Sequence, residues 1–185
     1  MLSKEEQSYL LSLARKSIEH HLSDGELLKL NVKMVPETLK VKKGCFVTLK
    51  VGDMLRGCIG HLLPVQELYK DVIENAVNAG FQDPRFPSMV KKELEDVHVE
   101  ISVLDIPKEL KYKDGDDLLV KLKTKPGVIL KKGFHQATFL PQVWEELEKA
   151  EEFLGHLCMK AGLPPDTWRK DKLDIEEYGV EKFEE

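Results

Sequence analysis

Hydrophobic residues recur along the chain at two different periods, and the alternation of these periods predicts a mixed α+β protein. From Leu10 to Leu22 the apolar positions follow helical spacing, after a capping box formed by Ser3 and Glu6. Four later segments also predict helices, two of them short. The predicted helices cover residues 4–22, Pro64 to near Gly80, 91–96, 114–125 and 144–162.

Other segments alternate apolar and polar residues or are rich in β-branched ones, which is the pattern of strands. CFVTLKV at 45–51 and MLRGCIG at 54–60 flank the turn residues Gly52 and Asp53, and together they predict a hairpin. VHVEISVLDI at 97–106 predicts a strand with one buried face. Further predictions are a strand pair around Gly133, an edge strand within 173–183, and mostly loop over 26–44.

Length and composition fit one compact domain without a membrane segment. The chain has 185 residues, of which 42% are hydrophobic, and its net charge of −5 argues against broad binding to nucleic acids. No apolar run approaches the roughly 18 residues of a spanning helix, and the acidic, amphipathic N-terminus is unlike a signal peptide. Three cysteines without a CxxC motif predict free thiols in the reducing cytoplasm.

The hexapeptide LRGCIG is the first candidate site, because Gly57 and Gly60 bracket Cys58 in it. Arg56 lies two residues before Cys58, so on a regular strand both project from one face and the cation favours a thiolate. His61 is a candidate base, and backbone N–H groups near the glycines could stabilise an oxyanion. The alternative is a small buried cysteine in a glycine-containing strand.

The loop DPRF, from Asp83 to Phe86, is the second candidate, and two prolines stiffen it. Arg85 in this loop could hold a carboxylate or phosphate through its guanidinium group. The alternative is an Asp–Arg turn that pins the loop to the core.

Polar side chains on two predicted strands complete the candidates. His98, Glu100 and Ser102 share one face of the 97–106 strand, either as a proton-handling surface or as a solvated sheet face. Thr138 could point into a cleft, or could belong to a strand that leads into a helix. The His98, Glu100 and Ser102 row could also form the edge of a metal site, although the chain contains no motif with metal-ligand spacing and no phosphate-binding glycine motif.

The order and spacing of these motifs resemble the AMMECR domain family, the A component of the AmmeMemoRadiSam system. The resemblance extends over nearly the whole chain. The motifs that carry it are FVTL at 46–49, LRGCIG at 55–60, DPRF at 83–86, EISVL at 100–104, ATFLPQVW at 137–144 and HLCMKAGLPPDTW at 156–168.

The resemblance implies a single domain over residues 1–185, with a mainly antiparallel sheet flanked by helices. It implies two unequal lobes with a cleft between them, the smaller lobe being formed by insertions. It further implies a cytoplasmic protein with Memo-like and radical-SAM proteins as partners, and it specifies neither a cofactor nor a reaction. The site positions that it carries over are the LRGCIG hexapeptide, Asp83 to Phe86, Glu100 and Ser102.

The sequence leaves two functions open. In the first, which the recognition groups favour, the predicted cleft binds a small anionic ligand or a partner protein. The binding residues are then Arg56, Gly57, Gly60, Asp83, Arg85, Phe86, Ser102 and Thr138. In the second, Cys58 is the nucleophile of an acyl-transfer, hydrolysis or thiol-modification reaction, and Glu100 or His61 moves protons.

Overall fold

The computed structural model describes all 185 residues and divides the chain into two compact units. The first unit comprises residues 1–106 and 181–185, and the second comprises residues 107–180. Helices and antiparallel strand pairs occur in both units, so the predicted α+β class is confirmed. None of the helices has the length and apolar character needed to cross a membrane. The cleft between two lobes stays a prediction.

Five α-helices and eight strands make up the two units. The helices are α1 (Lys4–Asp24), α2 (Leu68–Phe81), α3 (Gly115–Lys121), α4 (Ala150–Lys160) and α5 (Thr167–Lys170). The strands are β1 (Cys45–Val51), β2 (Met54–His61), β3 (Val97–Leu104), β4 (Lys108–Glu109), β5 (Gly127–Lys132), β6 (His135–Phe139), β7 (Asp174–Tyr178) and β8 (Val180–Glu184).

The first unit contains a four-stranded sheet in the order β2-β1-β3-β8, so β2 is an edge strand. β1 pairs antiparallel with β2 and β3, and Thr48 lies opposite Cys58 on one side and opposite Glu100 on the other. Val47 and Leu49 belong to the buried core, which they form with apolar residues of α1 and α2. Because strand residues alternate between faces, Thr48, Cys58 and Glu100 share the opposite face.

The second unit contains the other sheet, in the order β4-β7-β5-β6, and a separate hydrophobic core. Trp144 lies in this core, where its ring stacks on Phe153 at 3.7 Å and its Nε1 donates to the Pro126 carbonyl. The prediction of one helix over 144–162 is therefore wrong. Residues nine apart in a helix are separated by about 13 Å along its axis, so the chain must turn between Trp144 and Phe153, and α4 begins only at Ala150.

The tail also differs from its prediction. Residues 173–183 form two strands in two different sheets, where the sequence predicted a single edge strand. β7 lies between β4 and β5 in the second unit, and β8 is the outer strand of the sheet in the first unit. Only Gly179 separates the two strands, so the chain passes directly from one sheet to the other.

Candidate functional site

The DPRF loop contacts the backbone of Cys58 at the open edge of β2. The Asp83 carboxylate accepts the Cys58 N–H at 2.9 Å, and Arg85 Nη2 donates to the Cys58 carbonyl at 3.3 Å. Edge strands otherwise leave such groups unpaired and available to other chains. The side chains of Asp83 and Arg85, which we call the Asp83–Arg85 fork, bind the Cys58 N–H and carbonyl. At this one position they therefore take the place of a neighbouring strand.

Asp83 is the buried half of the fork. It is 4% exposed, and its carboxylate accepts from Arg85 three times, at the backbone N–H, Nε and Nη2, over 3.1, 2.9 and 2.7 Å. The hydrogen bonds from the Arg85 guanidinium hold the pKa of Asp83 well below its usual range, against the opposing effect of burial. Arg85 itself keeps 54% of its side chain exposed.

A β-bulge at Arg56 breaks the strand alternation that predicted a common face with Cys58. The β1–β2 register skips Arg56, which is the extra residue of the bulge. Arg56 Nε donates to Glu93 at 2.7 Å, and Nη2 donates to the Pro87 carbonyl at 2.9 Å. The same hydrogen bond lowers the pKa of Glu93. Nη1 is buried and has no hydrogen-bond partner.

Phe86 lies close to both guanidinium groups. The Cζ atoms of Arg56 and Arg85 are 6.0 and 5.5 Å from the centroid of its ring, within the range of cation–π attraction. Each arginine is paired with its own carboxylate, so the group carries two cations, two anions and one aromatic ring. It is formally neutral and rich in hydrogen-bond donors.

The two glycines of LRGCIG are required for packing. A Cβ atom at Gly57 would lie 2.0 Å from the carbonyl oxygen of Ala79 in α2, because helix and strand backbones touch there. A Cβ atom at Gly60 would lie 2.5 Å from the ring of Phe46. The Cys58 N–H is already bound by Asp83 and is not free to bind an oxyanion, and the oxyanion site near the two glycines stays a prediction.

The Cys58 thiol lies in a row of polar side chains across three strands. Thr48 Oγ1 donates to Cys58 Sγ at 3.2 Å, and Glu100 is the next residue in the row. Glu100 is buried and contacts Lys50 at 2.5 Å and Lys182 at 2.8 Å. Burial raises its pKa, but the hydrogen bonds from the two lysines outweigh burial and leave the pKa of Glu100 lowered. This environment favours a stable ion pair over proton transfer.

His61 is separated from Cys58, contrary to its predicted role as the base for this thiol. The two residues are three apart on β2, and His61 pairs with Cys45, whereas Cys58 pairs with Thr48. Strand alternation therefore places them on opposite faces. His61 Nδ1 instead contacts the buried Asp71 carboxylate at 2.7 Å.

The remaining candidates lie in different surroundings. Ser102 is buried on the same face as Glu100, whereas Thr138 belongs to β6 in the second unit. The Thr138 hydroxyl donates to the Val128 carbonyl at 2.9 Å and lies 2.9 Å from the Tyr178 hydroxyl. Burial raises the pKa of Tyr178 to about 12. Thr138 thus links strands of its own sheet.

The similarity of the chain to known proteins accounts for this set of motifs. A model of the AMMECR1 family matches residues 11–183. The chain belongs to the AMMECR1 family. The matched residues include all six motifs that carry the sequence resemblance, from FVTL at 46–49 to HLCMKAGLPPDTW at 156–168.

Related AMMECR1-family proteins occur in archaea. Protein MK0488 of Methanopyrus kandleri is 39% identical over 193 residues, covering 100% of this chain and 90% of that protein. Protein MJ0810 of Methanocaldococcus jannaschii is 36% identical, covering 100% of this chain and 92% of that protein. The crystal structure of the uncharacterized protein PH0010 from Pyrococcus horikoshii superposes with a TM-score of 0.85 at 36% identity, covering 100% of this chain and 93% of that chain.

Three residues that sequence reasoning missed have direct contacts with the candidates. Thr48 bonds the Cys58 thiol, Glu93 neutralises Arg56, and Asp71 binds His61. Thr48 could not have been found from the hairpin register, because a two-residue turn alone places it opposite Gly57, and only the bulge at Arg56 moves it opposite Cys58. Asp71 has a sequence signal in this AMMECR1-family chain, because it is a carboxylate among the mostly apolar residues that α2 buries.

Proposed function

We propose that this AMMECR1-family chain binds a small ligand with a carboxylate or phosphate group at the edge of β2, between Arg56 and Arg85. Phe86 contacts the less polar part of the ligand. The observation that carries the proposal is the unpaired Nη1 of Arg56, a guanidinium whose other nitrogens are bound. Buried donors nearly always have an acceptor. A buried Nη1 without one, in a guanidinium whose other nitrogens are already bound, favours an acceptor supplied by a ligand.

The surroundings support recognition more than catalysis. Arg56 and Arg85 are held in place by Glu93 and Asp83, so the guanidinium groups are already oriented for a planar oxyanion. Only Thr48 donates a hydrogen bond to the Cys58 thiol, and no histidine or carboxylate side chain forms one with it. The charges of the arginines are compensated, so the expected affinity depends on hydrogen-bond geometry more than on long-range attraction.

The test is a titration with inorganic phosphate and with acetate, followed through the side-chain nitrogen NMR signals of Arg56 and Arg85. We expect saturable shifts at both arginines. Arg56→Lys should weaken binding by about tenfold or more, because lysine keeps the charge but not the planar donor pair.

The matched control is Arg15→Lys, the same change at an arginine that is also ion-paired, with Glu185, elsewhere in the unit. It should leave binding unchanged, and Cys58→Ser should be nearly silent. Equal losses in the two Arg→Lys variants, or no saturation in the wild type, would refute the site. The resemblance also predicts Memo-like and radical-SAM partners, and a partner carboxylate that binds here should compete with phosphate.

A second function is favoured by one contact, the hydrogen bond from Thr48 to Cys58 Sγ. A hydroxyl that donates to sulfur stabilises a thiolate. The Arg85 guanidinium also lies near enough to Cys58 for the charge of a thiolate to contribute to the raised pKa of Arg85. In this alternative Cys58 is the nucleophile of a thiol-dependent enzyme. The weakness of the alternative is the missing proton acceptor.

Alkylation with iodoacetamide separates the two functions. In the native protein we expect a single labelled cysteine, Cys58, because Cys45 and Cys158 are fully buried and burial raises the pKa of both. A nucleophilic Cys58 should react about tenfold faster than the same residue in the unfolded chain, and Thr48→Val should remove the difference. A native rate equal to or below the unfolded rate would exclude the enzyme alternative.

A further inference from the structure

A second polar cluster lies in the first unit, on the face of the sheet opposite to Cys58. It consists of His61, Gln66, Asp71 and Glu74, which we call the His61 cluster. Asp71 is fully buried, and its Oδ1 contacts both His61 Nδ1 at 2.7 Å and Gln66 Nε2 at 3.2 Å. Glu74 Oε2 accepts from the same Gln66 nitrogen at 2.6 Å.

These hydrogen bonds determine which atoms of the cluster are still open. A carboxylate only accepts, so Nδ1 of His61 carries a proton, and in the neutral ring Nε2 is left as an acceptor. Gln66 faces two carboxylates, which fixes its amide nitrogen toward them and leaves its carbonyl oxygen open. Glu74 keeps a second carboxylate oxygen. His61 is 36% exposed, so the cluster reaches the surface.

The base of the cluster is held by buried groups. The Cys45 thiol donates to Asp71 Oδ2 at 3.2 Å, and burial and the nearby charge of Asp71 raise the pKa of Cys45, which keeps it a neutral donor. Asn75, one helical turn after Asp71, donates to the Cys45 carbonyl at 3.4 Å. Asp71 therefore cannot turn away from His61 without losing three donors. These contacts hold the Asp71 carboxylate, the His61 ring and the Gln66 amide in place.

The charges of the cluster favour a positively charged ligand. Asp71 and Glu74 form no ion pair with a lysine or arginine, and the His61 imidazole, which is neutral when Nε2 accepts, is the only basic group in contact with either. We propose that the His61 cluster is a binding site for a protonated primary amine, with His61 Nε2, Gln66 Oε1 and the Glu74 carboxylate as its acceptors. A primary ammonium group matches this set, because it supplies three N–H donors and one positive charge.

The experiment follows the ring nitrogens of His61 and the side-chain amide of Gln66 by NMR, at about pH 8, where an alkylamine is still protonated. The probe is propylamine, and the comparison cation is tetramethylammonium, which has the charge but no N–H donor. In the wild type we expect the Nδ1–H tautomer of His61 and saturable shifts with propylamine alone. Glu74→Gln and His61→Gln should each weaken binding by about tenfold.

The matched control is Glu67→Gln, the same charge change on a neighbouring carboxylate that is paired with Lys70 outside the cluster. It should leave propylamine binding unchanged. An Nε2–H tautomer, equal shifts with tetramethylammonium, equal losses in both Glu→Gln variants, or tighter binding of Zn²⁺ than of the amine would each overturn the proposal.

Discussion

Replacing Gly57 with alanine is expected to lower the free energy of unfolding of the first unit by about 3 kcal/mol or more. The new Cβ would lie 2.0 Å from the Ala79 carbonyl oxygen and 2.9 Å from its carbonyl carbon. Overpacking of a core costs about 1–3 kcal/mol when side chains can adjust. Here both partners are backbone, one in a strand and one in a helix, so relief requires moving α2 away from the sheet.

Urea unfolding measures this loss, and Gly80→Ala is the matched control. Gly80 follows Ala79 in α2, but a Cβ there meets its nearest atom, Met89 Sδ, at 3.6 Å, which is ordinary contact. The control should change the stability by less than about 1 kcal/mol in either direction, since alanine also favours the helix. A Gly57→Ala protein as stable as the control would mean that the glycine serves something other than the strand–helix contact.

Replacing Asp83 with alanine should cost about 3 kcal/mol of unfolding free energy, because it removes a buried carboxylate that accepts four hydrogen bonds. The Cys58 N–H and the Arg85 guanidinium lose their partner at the same time. The Arg85→Ala variant and the double variant complete a cycle, and we expect their effects to be strongly non-additive. Simple additivity would show that the Asp83–Arg85 fork does not act as one unit.

The pH dependence of the same pair has a definite sign. The pKa of Asp83 is lowered in the folded state, so the stability that it contributes is present above the unfolded pKa of about 4 and is lost as the pH falls toward the folded value. The stability difference between the wild type and Asp83→Asn should therefore be constant above about pH 5 and shrink below about pH 4. A difference that stays constant in acid would contradict the ion pair.

Much of the first unit could be predicted because its signals are local. The capping box of Ser3 and Glu6 is present, and the turn at Gly52 and Asp53 joins the two predicted strands. Alternation placed Glu100 and Ser102 on one face, as the register confirms. The start of α4 was missed because Trp144 is held by a stack on a residue from a later segment, and helical spacing cannot report such a contact.

The candidate site was only partly predictable, because its geometry depends on departures from regular strands. The bulge at Arg56 has no clear signature in LRGCIG, and it changes the partner of the arginine from Cys58 to Glu93. The contacts of Asp83 and Arg85 match the alternative that the sequence left open, a turn that pins the loop. The link from His61 to Asp71 depends on α2 packing against the sheet.

The direct passage from β7 to β8 constrains how the chain folds during synthesis. Residues 181–185 complete a unit whose other residues precede position 107, and Leu2 and Arg15 bind Glu181 and Glu185 across separations of 179 and 170 residues. Such distant contacts slow folding, because long loops must close before the contacts form. Until β8 has been synthesised, β3 is therefore the open edge of the sheet in the first unit. The second unit is contiguous and can finish folding before it.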